Sequence, residues 1–329
     1  MHDRFEPGQL LMLGFEGLDA SDVLERLHRI PAGGVVLFKR NCESLPQIRE
    51  LNAEVSASAS TPLVAIDHEG PRVNRLRGLI PDTDGARTLG EKKDLLHTES
   101  VGLEMGQQLH ALGIHLDFAP VLDLEEMEDH PALKGRCFHS DPQQVAEQAA
   151  ALIRGLHRAG VGTCAKHFPG HGSAPLDSHV DLPESPRDIE SLGSRDIQPY
   201  TTAIQSKVDL VMTAHVRFPA VDSWPATCSE RILNGLLRKH LGYNGPIITD
   251  DCDMEGFRRI GPIRETVARA IMAGVDIILC CRDPQVQDEA YAGLHDLYQK
   301  GSEERARLEK SLRRVSQMKQ TLLQRFSTV

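Results

Sequence analysis

Eight short aliphatic runs recur along the chain: Leu10–Gly14, Gly34–Phe38, Leu63–Asp67, His115–Pro120, Thr163–His167, Leu210–His215, Pro246–Asp250 and Asp276–Cys281. Their apolar positions are consecutive rather than alternating, the pattern of strands buried on both faces of a parallel sheet. Between them lie amphipathic stretches with helical spacing: Ala20–Arg29, Leu45–Ser56, Thr98–Leu112, Pro142–Ala159, Asp188–Ser206 and Ser229–Lys239. Ser21 stands before a helix containing Glu25, and Asp141-Pro142 supplies an N-cap followed by proline at the first helical position. Gly160, Gly242 and Gly274 fall where helices must stop and turn back. Eight strand–helix units predict the α/β class and a (β/α)8 TIM barrel. A doubly wound open sheet is the rival, but it commonly has fewer strands and opens on a phosphate-binding glycine motif. No Gly-x-Gly-x-x-Gly follows the first run. The stretch from about Gly301 to Phe326 predicts an extra C-terminal helix packed on the barrel. No linker or composition shift divides the chain, so residues 1–329 are expected to form a single domain.

Charge narrows the partners. The 47 Asp and Glu against 37 Lys and Arg give a formal net charge of −10, which argues against nucleic acid or an anionic membrane as the main partner. The apolar run Ile271–Cys281 is broken by Asp276 and is far short of the roughly 20 residues that span a bilayer. The N-terminus shows no secretory pattern, and seven cysteines without framework spacing suggest reduced thiols. The expectation is a soluble cytoplasmic protein.

The polar residues that abut the runs carry the chemistry. The second run ends in Lys39-Arg40-Asn41, the third in Asp67-His68-Glu69, and the fifth in Lys166-His167. The sixth ends in His215, the seventh in Asp250-Asp251, and the eighth in Arg282. Barrels place their sites at the C-terminal ends of their strands, and so many charges there would be costly unless they faced a polar cavity. After the fifth run, four prolines and two glycines between Phe168 and Arg187 exclude a helix. A loop of that length in a compact domain is usually functional. In it, Asp177 and His179 are spaced so that the carboxylate reaches a ring nitrogen, which makes a general acid–base pair. Asp250 is expected to point into the mouth because Thr249 and Asp251 alternate with it. A carboxylate there can attack an electrophilic carbon, bind a metal, or hydrogen-bond sugar hydroxyls. Position alone does not choose among the three.

Several stretches together resemble family 3 glycoside hydrolases, and within them the bacterial β-N-acetylglucosaminidases. They are Gly33-Gly-Val-Val-Leu-Phe-Lys-Arg-Asn41, Ile66-Asp-His-Glu-Gly-Pro-Arg-Val-Asn-Arg75, Phe118-Ala-Pro-Val-Leu-Asp123, Lys166-His-Phe-Pro-Gly-His-Gly172, Asp177-Ser-His179 and Thr249-Asp-Asp-Cys-Asp-Met254. The resemblance implies Asp250 as nucleophile, His179 as general acid–base and Asp177 as its orienting partner. It implies that Asp67, Arg75, Arg136, Lys166 and His167 hold the sugar, with neither cofactor nor metal. The substrate implied is a small glycan, a muropeptide from cell-wall recycling that gives up its terminal N-acetylglucosamine. Four positions depart from the family pattern: His68 for Gln, Pro71 for the second Gly, and Cys252 and Asp253 for Leu and Ser. Pro71 is expected to alter the seat of the loop that carries Arg75. Asp253 is expected to raise the Asp250 pKa if the two approach.

Rival readings remain at this level. His167, His171, His179, His215 and Asp250 are potential ligands of a metal-dependent barrel hydrolase, although that class typically carries His-x-His after its first strand. Lys166 admits a Schiff-base aldolase, and an inherited barrel admits a non-catalytic sugar-binding protein. A β-glucosidase, or a phosphorylase using phosphate in place of water, would need the same residues. Trp224 is as well suited to surface packing as to the mouth, and Glu125–Asp129 reads as a solvated acidic rim near Arg136. Nine Phe, four Tyr and one Trp suit a pocket for one terminal sugar better than a stacking groove for a long polysaccharide.

Overall fold

The computed structural model describes residues 6–329; the first five residues of the expected 1–329 domain lie outside the described residues. Eight parallel strands close into a barrel in chain order. They are β1 (Leu11–Gly14), β2 (Gly34–Leu37), β3 (Leu63–Ile66), β4 (Leu116–Asp117), β5 (Gly162–Phe168), β6 (Leu210–Thr213), β7 (Ile247–Asp251) and β8 (Ile277–Cys280). β8 returns to β1 with Leu11 opposite Ile278, which completes the closure. This is the (β/α)8 barrel that the eight runs predict.

The helices follow the expected order with shifted ends. The first starts at Ala20, where Asp22 Oδ2 accepts from the Asp19 N–H at 3.4 Å, so Asp19 rather than Ser21 marks its start. The Asp94 carboxylate accepts from the Leu96 and His97 N–H groups, which begins the long helix before β4 at Leu95 instead of Thr98. Asp141 caps the helix Pro142–Arg158 as its sequence predicts. The expected Asp188–Ser206 helix divides into Ile189–Ser191, a wide turn over Leu192–Asp196, and Gln198–Gln205. Pro199 has no N–H to continue the ladder across that break. The segment Arg231–His240 is wound as a π-helix. Over so short a stretch, the apolar spacing of Ile232, Leu233, Leu236 and Leu237 does not distinguish the wide winding from the ordinary one. β4 is shorter than its run because Pro120 lacks a donor. Its pairing with β5 continues as separate bonds, Cys164 N–H to Ala119 O and Leu122 N–H to Lys166 O.

One apolar cluster runs from Leu10 to Leu322 and takes in the inward sides of the strands and the helix faces packed on them. The C-terminal helix, Ser302–Ser327, buries Leu308, Val315, Met318 and Leu322. It lies across the N-terminal ends of the strands. Arg325 pairs with Asp209 before β6 at 2.9 Å, and Arg307, Ser311 and Arg314 surround Asp276 before β8. With that end plugged, the polar strand ends stand at the opposite, open end.

Candidate active site

A chain of alternating charges crosses the mouth from β3 to the loop beyond β4. Asp67, just past β3, accepts from Arg75 at 2.9 Å and from Lys166 Nζ at 2.8 Å. Lys166 also reaches Glu69 at 2.6 Å, and Glu69 receives a two-pronged contact from Arg136 at 2.7 and 2.8 Å. Lys166 is 3% exposed, so these ions compensate one another in a dry setting. Burial works to raise the Asp67 carboxyl, but Lys166 and Arg75 outweigh it and hold the group well below the usual range. Glu69 is likewise held down against burial by Arg136 and Lys166. Burial works to lower the Lys166 ammonium, and Asp67 and Glu69 reverse this and raise it. Four residues expected to bind sugar thus sit in one network. Glu69 joins them without having been singled out, although Asp67 and Glu69 share a parity at the end of their strand. The acidic run after Asp123 is engaged elsewhere: Glu125 pairs with Arg87, and Glu126 with Arg187 and Arg195.

The second group is built on Asp123, which is fully buried. One of its oxygens accepts from His167 Nδ1 at 2.6 Å, and the other accepts from the His171 N–H at 2.6 Å. An ionised carboxylate only accepts, so His167 carries its proton on Nδ1 there. Its Nε2 faces Asp250 Oδ2 at 4.0 Å. β5 slips its register against β6 between Ala165 and Phe168, around Lys166 and His167, and the Lys166–His167 peptide is cis. β7 slips against β8 between Ile248 and Asp251. Register slips of this kind re-aim side chains beside a site.

Asp250 and Asp251 part company at that slip. Asp251 turns toward β8 and accepts from the Cys281 N–H at 3.0 Å and the Asp253 N–H at 3.0 Å. Burial and then the Asp253 charge push its carboxyl up to about 7. Asp250 keeps one oxygen on the Asp251 N–H at 2.8 Å and the other toward His167. Burial works to raise its carboxyl, but the neighbouring His167 and His215 rings and that N–H hold it below the ordinary value. The charge of Asp253 therefore falls on Asp251, not on Asp250 as the sequence suggested. His215 lies fully buried behind this corner, with Nδ1 on the Thr227 hydroxyl at 2.8 Å and Nε2 on Asp251 O at 3.1 Å.

The loop from Pro169 to Arg187 has no regular element but is pinned along its length. His130 Nε2 bonds Ala174 O at 2.8 Å, and Ser173 and Ser185 share a 2.7 Å hydroxyl contact. Asp177 Oδ1 accepts from both the backbone N–H and the ring Nδ1 of His179, at 2.9 and 2.8 Å. Burial works to raise the Asp177 carboxyl, and these two bonds bring it below its ordinary value. The ionised carboxylate fixes the proton on His179 Nδ1 and leaves Nε2 free to exchange a proton. The His179 side chain is 68% exposed, and Leu176 and Val180 on either side of the pair are also exposed.

Among the described residues, no three His, Cys, Asp or Glu side chains gather as a metal-ligand group. All seven cysteines are free and buried. Trp224 lies beneath the Arg269 guanidinium, 3.7 Å from its ring centre. It borders an outer cleft of about 590 Å³ with Pro262, Met272 and Lys300, which none of the strand-end residues above lines.

Residues 4–318 match the model of the glycosyl hydrolase family 3 N terminal domain. The chain belongs to glycosyl hydrolase family 3. A β-hexosaminidase of Idiomarina loihiensis is 38% identical over 279 residues, covering 83% of this chain and 84% of that protein. One from Neisseria gonorrhoeae is 39% identical over 277 residues, covering 82% and 76%. Among solved structures, a family 3 β-N-acetylglucosaminidase from a Paenibacillus species superposes with a TM-score of 0.92 at 36% identity. It covers 97% of this chain, which spans only 62% of that longer protein. NagZ from Neisseria gonorrhoeae in complex with N-trifluoroacetyl-D-glucosamine superposes with a TM-score of 0.81 at 32% identity, covering 97% and 96%.

Proposed function

We propose that this family 3 hydrolase is a retaining exo-β-N-acetylglucosaminidase in which Asp250 is the nucleophile, His179 the general acid–base and Asp177 its orienting partner. The observation that carries the reading is the pairing of an ionised Asp250 at the mouth with an Asp177–His179 dyad, its imidazole exposed, on the loop beside it. In the first step a carboxylate oxygen of Asp250 bonds to the anomeric carbon as the glycosidic C–O bond breaks. Protonated His179 passes its Nε2 proton to the departing oxygen. In the second step neutral His179 takes a proton from water, the water oxygen bonds to the anomeric carbon, and the Asp250 ester bond breaks. Asp177 stabilises the imidazolium in each cycle. A histidine acid adds no further carboxylate against Asp250, so the acid–base group itself does not oppose ionisation of the nucleophile.

The network of Asp67, Arg75, Lys166, Glu69 and Arg136, with His167, offers donors and acceptors in fixed positions to hydroxyl and amide groups of one terminal sugar. The substrate we propose is a small glycan ending in N-acetylglucosamine, as muropeptides from cell-wall recycling present to a cytoplasmic enzyme. Two features support it: the β-hexosaminidase relatives, and the superposition on a NagZ that holds an N-acylglucosamine. The test is hydrolysis of p-nitrophenyl N-acetylglucosaminide and of the matching glucoside in phosphate-free buffer. Release of nitrophenol from the first alone is expected; cleavage of the glucoside alone overturns the substrate, and a requirement for phosphate overturns hydrolysis.

A further inference from the structure

The residue between Asp177 and His179 behaves unlike either of them. Ser178 is 3% exposed, whereas the His179 side chain beside it is 68% exposed. Asp177 O accepts from the Val180 and Asp181 N–H groups, so residues 177–181 form one tight turn with Ser178 on its inner side. Two opposed elements hold Ser178. Its hydroxyl lies 3.3 Å from His171 Nε2, and its carbonyl accepts from the Gly256 N–H at 2.9 Å. His171 leads back through Asp123 and His167 to Asp250. Gly256 belongs to the short helix Glu255–Arg258, which follows the nucleophile strand directly. The acid–base turn and the nucleophile are therefore joined by two separate routes that meet at Ser178.

Gly256 has no conformational need to be glycine, since it is absent from the residues of positive φ. In a helix, alanine would ordinarily be favoured over glycine. Space accounts for the choice. A Cβ at this position would lie 3.0 Å from Ser178 O, 3.1 Å from Asp181 O and 3.3 Å from the His215 Cβ. The first two are backbone atoms of the turn, which would have to move for the methyl group to fit. Arg259 adds an outer tie to Asp181 at 3.1 Å, but both side chains are half-exposed and such a pair contributes little.

We propose that Gly256 and Ser178 are positioning residues for the acid–base step, the helix after the nucleophile strand being the seat on which the turn with Asp177 and His179 rests. This rests on the roles given above to Asp250 and His179. Raising the seat moves His179 relative to the leaving oxygen while the Asp67–Lys166–Glu69 network stays in place. The loss should therefore grow as the leaving group becomes poorer, because only poor leaving groups depend on proton donation.

The experiment compares Gly256→Ala with wild type on aryl N-acetylglucosaminides whose phenols range from strongly acidic to weakly acidic, read in kcat/KM. About a 10-fold loss is expected for the poorest leaving group, with little change for the best. His179→Ala runs beside it as the reference. If that reference shows no leaving-group dependence, the assignment of His179 fails. If it does, while Gly256→Ala loses rate equally on all substrates or on none, the seat is overturned. Should Gly256→Ala not fold, Ser178→Ala carries the test: it removes only the hydroxyl contact with His171, and a smaller loss with the same leaving-group dependence is expected. Uniform rates in Ser178→Ala overturn the proposal.

Discussion

The two halves of the site are held by opposite means. On the β3–β5 side, Asp67, Glu69 and Arg136 are half-buried and bonded into one network around the buried Lys166 ammonium, so their orientation is set in advance. On the loop side, Asp177 is half-buried and His179 is exposed on an irregular segment, tied by their mutual bond and by the contacts of Ser178. Holding a sugar and moving a proton make different demands. Groups that grip a sugar gain from fixed geometry in a dry setting, whereas a group that exchanges a proton with water must be reachable by it. The contrast also assigns the costs: damage to the first half should appear as instability, and damage to the second as slow turnover.

The largest expected effect sits between the halves. Asp250→Ala should lower turnover on the order of 10⁴-fold or more while leaving the thermal midpoint near wild type, measured with an aryl glycoside. Lys166→Met next breaks the first half by leaving Asp67 and Glu69 without their shared cation. A stability loss of about 3–5 kcal/mol is expected in urea unfolding, against a change within about 0.5 kcal/mol for His179→Ala. Equal effects of these two variants on stability would erase the contrast.

The buried side also makes a pH prediction. His68 is fully buried. Burial pushes its pKa down to about 4 from 6.5. Between those values the unfolded chain binds the proton and the folded protein does not. Stability from this group is therefore complete above pH 6.5 and is lost as pH falls toward 4, at about 1.4 kcal/mol per unit. His68→Gln, which does not titrate, should gain about 3 kcal/mol relative to wild type over that window. Parallel stability curves for the two proteins would contradict the assignment. The smallest effect is on the loop. Asp177→Asn weakens a charge-assisted bond worth about 1.5–3 kcal/mol, so turnover should fall about 10- to 100-fold on substrates with poor leaving groups.

The same contrast explains how much could be read before the structure. Continuous apolar runs with charged ends report strand burial and strand direction directly, so the barrel and the residues at its mouth were legible. What escaped is pairing across the barrel. That Glu69 shares Lys166 with Asp67, or that Asp123 holds both His167 and His171, depends on how strands far apart in sequence are placed side by side. The turn of Asp251 toward β8, and with it the fate of the Asp253 charge, depends on a register slip between β7 and β8 that no run of residues reveals. The Asp177–His179 pair was legible because it is local. Its seat on Gly256 was not, since a helical glycine in sequence gives no hint of the carbonyl packed against it.

The most direct test of the central claim is to identify the residue that bonds to the sugar. The protein would be inactivated with a fluorinated N-acetylglucosamine derivative that slows the second step, digested, and analysed by peptide mass spectrometry. The account predicts one sugar adduct on the carboxylate of Asp250, formed in wild type and absent in Asp250→Ala. An adduct on any other residue, or hydrolysis that inverts the anomeric configuration with no adduct formed, would contradict it.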